Sequence, residues 1–171
     1  MKPKALIVTA DMFEDSELLY PYYRLQEAGF QVDVAAPTAG EVTGKNGYKV
    51  AANLSLDDVE SAGSCGYKLL VLPGGKAPAA LRVLPKALDI ARDFAGSGAP
   101  IAAVCHGPQV LVSAGLLRGR KATCYKTVAE ELKEAGALYE DSEVVVDKNL
   151  VTARQPSDLP AFMREVMRML G

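Results

Sequence analysis

The chain has 171 residues, 49% of them hydrophobic and 6% aromatic, with 19 Lys and Arg against 21 Asp and Glu; this is the composition of one folded domain over 1–171 and excludes a disordered segment. At this length about two-thirds of the unfolded surface can be buried, so the core needs neither metal nor disulfide to hold it. A net charge of −2 gives no electrostatic reason to hold phosphate backbones or anionic lipid, so neither nucleic acid nor membrane is expected as a partner.

Lys2 and Lys4 precede an apolar run at 5–10, which Asp11 ends too soon for a signal peptide. No later run approaches the length of a membrane helix, and a cytoplasmic location is expected. The run at 5–10 predicts a strand buried on both faces. Leu18, Tyr22 and Leu25 recur at helical spacing as far as Gly29, a residue suited to a helix end. Residues 31–36 read as a second strand. The turn-rich stretch 40–54, with Gly44 and Asn46-Gly47, predicts a small hairpin outside the core. A further buried strand at 67–72 ends abruptly in Pro73-Gly74-Gly75.

Pro85 opens a helix striped by Leu84, Leu88, Ala91 and Ala95 and broken at Gly96-Ser97-Gly98. Residues 99–104 predict another buried strand, and 109–114 a short helix closed by Gly115. Val128, Leu132 and Ala135 stripe a helix that stops at Gly136. Strands at 143–147 and 150–153 flank a tight turn. Ser157 or Asp158 is expected to cap a last helix whose inward face is Leu159, Phe162, Met163, Val166 and Leu170. Strands alternating with helices imply a mostly parallel sheet covered on both faces, a flavodoxin-like three-layer α/β/α sandwich.

Ligands of such sheets bind at the carboxyl ends of the strands, near the point where strand order reverses. Three strand ends carry unusual residues: 11–15, Pro73-Gly74-Gly75, and Cys105-His106-Gly107-Pro108. Cys105 passes from strand to helix with almost no loop, the geometry of a nucleophile elbow. A helix N-terminus favours a thiolate. Lowering a thiol from about 8.5 to about 6 raises its ionised fraction at pH 7 from about 3% to roughly 90%, so the elbow predicts a nucleophile.

His106, the one histidine, either takes and returns the thiol proton through its ring or contributes its backbone N–H, with that of Gly75, to an oxyanion hole. Gly74-Gly75 allows a backbone amide to approach a substrate where a Cβ obstructs it. Glu14 is either a first-turn acid facing the helix dipole or a protonated carboxyl that supports the sulfur and shuttles a proton on substrate. Cys65 and Cys124 read as small buried hydrophobes or inert thiols. Three cysteines without a CxxC pair, and a single His, form neither a disulfide framework nor a metal site.

At these residues the chain resembles the ThiJ/PfpI superfamily, in its intracellular protease PfpI and protein deglycase branch. The resemblance is carried in order by Phe13-Glu14-Asp15-Ser16-Glu17, Leu72-Pro73-Gly74-Gly75, the run from Ile101 to Gln109, Ser113-Ala114-Gly115 with Arg118-Gly119-Arg120-Lys121, Glu143 to Asp147, and Thr152 to Pro160. It implies the fold of class I glutamine amidotransferases. It also implies Cys105 as nucleophile, His106 as its partner, Glu14 as the acid at the sulfur, the amides of Gly75 and His106 at the oxyanion, and Tyr125 as a pocket tyrosine. The implied activity is cofactor-free and directed at dicarbonyls or glycated protein and amino-acid adducts, in protection against stress, by a homo-oligomer, dimer or hexamer. One other role is implied, an intracellular peptidase, and a reactive thiol by itself leaves a third reading, a redox sensor or holdase built on oxidation of Cys105. The family's peptidase description places an acid after Gly-Gly-x-x-Pro, and here that position is Ala79. An imidazole without an orienting acid loses its preferred tautomer, which weighs against the peptidase and leaves carbonyl chemistry intact.

Overall fold

Uninterrupted apolar runs become the middle of one sheet, because only a strand covered on both faces can bury every side chain it carries. The computed structural model describes residues 1–61 and 66–171; Cys65, expected to be inert, lies outside the described residues. In chain order the elements are β1 (Lys4–Val8), α1 (Asp15–Glu27), β2 (Gln31–Ala36), β3 (Gly40–Thr43), β4 (Lys49–Ala52), β5 (Leu54–Ser55), β6 (Tyr67–Leu72), α2 (Ala77–Leu81) and α3 (Pro85–Ser97). There follow β7 (Ile101–Val104), α4 (Pro108–Ser113), β8 (Lys121–Ala122), α5 (Ala129–Glu134), β9 (Leu138–Tyr139), β10 (Val144–Asp147), β11 (Leu150–Ala153) and α6 (Leu159–Leu170).

The main sheet runs β10-β11-β7-β6-β1-β2-β5 and is parallel except for β10. α1 packs with α6, while α2, α3 and α5 gather around α4, so the sheet lies between two helical layers as a flavodoxin-like sandwich. β1 and β7 carry buried residues throughout their apolar stretches. On α6 the buried stripe is Leu159, Phe162, Met163 and Val166; each large apolar side chain withdrawn from water contributes about 1.5–3 kcal/mol before entropy is counted. The first strand stops at Val8, two residues earlier than its apolar run, because the chain must turn there toward the site.

Four features depart from the periodicity. The 40–54 stretch contains the expected hairpin, β3 against β4, but Leu54 and Ser55 leave it to extend the main sheet as β5. Asn53 makes that join: its Oδ1 accepts from Val34 N at 2.7 Å and its Nδ2 donates to the buried Asp33 at 3.0 Å, a long-range match that periodicity does not register. α2 and the parallel pair β8/β9 are too short to leave a pattern. Asp158 stands at the start of α6 without capping it, because its carboxylate is taken by Arg154, whose Nε lies 2.9 Å from Oδ2.

The β3–β4 hairpin is fixed to α1 by Asp15. Its carboxylate accepts from the backbone N–H of Asn46 and of Tyr48, each at 3.0 Å, and occupies the space that a side chain at position 44 needs. Asp15→Ala leaves two N–H groups unpaired and is expected to lower stability by about 2 kcal/mol, read as a reduced urea midpoint with unchanged slope.

Candidate active site

β7, β6 and β1 are adjacent and parallel, so the three unusual strand ends converge at the edge where the order reverses. A bridge between Phe13 and Gly75 and the bond from Glu14 N to Gly74 O, 3.1 Å, lock the first two together. Gly75 has φ +81, and a Cβ there runs into the backbone of Met12, Phe13 and Glu14; only glycine fits between the two strand ends.

Cys105 has φ 62, a left-handed conformation that costs a side-chain-bearing residue about 1–2 kcal/mol. The bonds from Cys105 N to Ala153 O, 3.0 Å, and from Gly107 N to Val104 O, 2.8 Å, hold it there. A Cβ at position 107 strikes Leu72 O, so the elbow turns only because that residue is glycine. Although neighbouring side chains at a sharp turn tend to diverge, the His106 ring folds back, with Nδ1 3.3 Å from the Cys105 sulfur. Tyr125 lies against the imidazole, ring centroids 5.2 Å apart, and its backbone N–H donates to Cys105 O at 3.0 Å.

The acids are placed differently from expectation. Glu14 is on the cavity wall, where its Oε2 is paired with Lys45 Nζ at 2.5 Å. The carboxyl beside Cys105 belongs to Glu17, one helical turn on and fully buried. Its Oε1 accepts from Gly74 N at 2.9 Å. Its Oε2 is buried with no hydrogen-bond partner among the described residues, and the carboxyl lies beside the Cys105 thiol. Gly74, expected to serve substrate or oxyanion, is thus a clamp behind the sulfur: its N–H is committed to Glu17, and a Cβ on it comes within 2.5 Å of Glu17 Oε1 and 2.8 Å of Cys105 Cβ.

Electrostatics correct the expectation of a freely ionised thiol. Burial pushes the Cys105 thiol up to about 12, the charge of Glu17 adds to this, and the N–H groups of Gly75 and His106 directed at the sulfur offset only part. Burial likewise pushes Glu17 up to about 7. A negative sulfur therefore requires that Glu17 hold the proton and offer it to the thiolate. His106 is lowered by burial first and by Lys45 second, so the imidazole is neutral at pH 7. Cys124 is fully buried and its thiol is pushed up to about 12, chiefly by burial; it is inert.

A cavity of about 860 Å³ opens over the sulfur, and Glu14, Lys45, Gly75, His106, Gln109 and Tyr125 are among the residues that line it, with Lys76, Ala79 and the 155–157 segment. Among the described residues, no three His, Cys, Asp or Glu side chains gather as a metal ion requires. Sequence reasoning missed Glu17, Lys45 and Gln109 as site residues. Glu17 had a signal: it shares the inward stripe of α1 with Pro21 and Leu25, and a carboxyl on an apolar stripe is a buried charge seeking a purpose.

A strained cysteine elbow at the carboxyl edge of a parallel sheet, backed by a buried carboxyl, is the architecture of cysteine-centred α/β proteins. The model of the DJ-1/PfpI family matches residues 3–169, and this chain belongs to that family. "Deglycase PH1704" of Pyrococcus horikoshii is 48% identical over 98% of this chain and 99% of its own length. "Protein/nucleic acid deglycase 2" of Escherichia coli is 45% identical over 100% and 99%. "Putative cysteine protease YraA" of Bacillus subtilis is 40% identical over 99% of each. Among solved structures, the chain superposes with a TM-score of 0.95 and 35% identity on a two-domain DJ-1/ThiJ/PfpI-like and ferritin-like protein of Anabaena variabilis, covering 99% of this chain and 48% of that one. Drosophila melanogaster DJ-1beta gives 0.90 and 28%, covering 99% of this chain and 91% of that one.

Proposed function

We propose that this protein is a cysteine-dependent enzyme that converts reactive dicarbonyls, and their early adducts on amines, guanidines and thiols, to 2-hydroxy acids. The relatives named deglycases support the substrate class. The observation that carries the mechanism is the buried Glu17 carboxyl against the Cys105 sulfur. With methylglyoxal, the sulfur forms a bond to the aldehyde carbon and the aldehyde oxygen takes a proton, giving a hemithioacetal. Glu17 then moves a proton from that carbon to its neighbour, oxidising one carbon and reducing the next. Water hydrolyses the resulting thioester, releasing lactate and the free thiol, so that dicarbonyl plus one water gives one hydroxy acid. With an aminocarbinol the same sulfur displaces the amine, which departs with the proton that the thiol gave up, and the later steps are shared.

Amide hydrolysis asks more of the histidine, and the position at which the family's peptidase description places an orienting acid is Ala79; casein is expected to remain intact. Assembly into dimers or hexamers, in the cytoplasm, completes the reading. No helix among the described residues is long and apolar enough to cross a membrane.

The test is lactate release from methylglyoxal. Wild type is expected to release it, and Cys105→Ala to release none above buffer. A wild-type protein that yields no lactate overturns the proposal.

A further inference from the structure

The wall beside His106 carries an acceptor whose orientation is fixed by charge. Gln109 stands in the first turn of α4 and lines the cavity. Its Nε2 donates to Glu131 Oε2 at 3.0 Å. The other oxygen of Glu131 is bound by the Arg82 guanidinium, and Arg82 Nε donates to Ser113 Oγ at 2.9 Å, so one ion pair joins the end of α2 to both α4 and α5. The guanidinium holds the Glu131 carboxyl below its ordinary range, and an ionised carboxylate can only accept. One orientation is therefore open to the Gln109 amide, nitrogen toward Glu131 and Oε1 away from it. That Oε1 accepts from no described residue and is not among the buried atoms left without a partner.

The N–H groups of Gly75 and His106 face the sulfur, Lys45 holds Glu14, and Glu17 is bound to Gly74. Gln155 and Ser157, which also line the cavity, bond to each other. Gln109 Oε1 is a neutral acceptor held in one orientation by charge and open to a donor on the substrate.

We propose that Gln109, oriented by Glu131, forms a subsite for the N–H of a nitrogen leaving group, so that the enzyme favours adducts on amines and guanidines over adducts on thiols. This rests on the dicarbonyl and deglycation reading above. Gln109 contacts substrate; Glu131 acts through it as a positioning residue, with Arg82 fixing its charge.

Two stable analogues isolate the donor: N-methyl-lactamide, with one N–H, and N,N-dimethyl-lactamide, with none. Their Kd values are measured by ligand-observed NMR titration, which needs no turnover. Wild type is expected to prefer the secondary amide about fivefold, the equivalent of one hydrogen bond of about 1 kcal/mol. In Gln109→Leu the ratio falls to about one. In Glu131→Gln it falls below about twofold, because the new amide can donate as well as accept and the Gln109 amide is free to turn. Equal affinities in wild type overturn the proposal, as does a ratio that survives either substitution. Should Gln109→Leu not fold, the wild-type and Glu131→Gln ratios decide. Failure to release lactate from methylglyoxal sinks the deglycation reading, whereas lactate release with equal affinities sinks the subsite alone.

Discussion

Glu17→Gln is expected to reduce lactate formation from methylglyoxal by about 10²- to 10⁴-fold, the usual contribution of a positioned general acid–base group, while making the folded protein more stable at neutral pH. The two effects have one cause. A glutamine retains the volume of Glu17, can still accept from Gly74 N and can donate an amide N–H to the sulfur, but it can neither take up the thiol proton nor move one between substrate carbons. Glu17 itself is pushed from an ordinary value of 4.5 up to about 7 by burial. Between those values the unfolded chain releases the proton and the folded chain keeps it, so folding becomes less favourable as pH rises. The stability that Glu17 allows is complete below about pH 4.5 and is lost through pH 7, at a total cost of about 3 kcal/mol. Chemical unfolding of both proteins at pH 4 and pH 8 measures this: the variant's advantage should be absent at the lower pH and full at the higher. An equal advantage at both, or undiminished lactate, removes Glu17 from the mechanism.

Gly75→Ala is expected to be the most damaging single methyl in the molecule, costing at least about 3 kcal/mol and abolishing turnover. The added carbon meets the backbone of residues 12–14 at a φ of +81, so neither a rotamer change nor a side-chain shift relieves it. Relief requires parting the ends of β1 and β6, which breaks the Phe13–Gly75 bridge and the Glu14 N to Gly74 O bond. Gly74 N then no longer holds Glu17, and the amide of Gly75 leaves the sulfur. Thermal unfolding and lactate release should fall together. Gly96→Ala is the control, since nothing lies within 4 Å of a Cβ added there, and its stability should match or exceed that of wild type.

The layout of the sheet was legible because burial on both faces imposes largely apolar strands, and β2 and β6 take the bounds read from the pattern residue for residue. The elbow was legible for a related reason: a strand entering a helix through Cys105-His106-Gly107-Pro108 leaves the chain only a tight turn, and the φ of 62 at Cys105 is its outcome. β5, α2 and the β8/β9 pair were not, because each depends on partners distant in the chain, as Asn53 shows by joining the start of β5 to Asp33 and Val34 of β2.

At the active centre the division falls within one motif. Phe13-Glu14-Asp15-Ser16-Glu17 presents three carboxyl groups on a single helical turn, and the linear pattern does not say which one meets the sulfur. The fold assigns them by what each finds nearby: Glu14 an ammonium from the hairpin, Asp15 two backbone N–H groups of that same hairpin, and Glu17 the thiol and a glycine amide. The amino-acid sequence by itself determined the family, the sandwich and the elbow at Cys105, since these follow from local pattern and chain order. Only the tertiary structure decided that the sulfur is buried beside a carboxyl, because the free energy of a charge depends on the partners and solvent that packing brings to it.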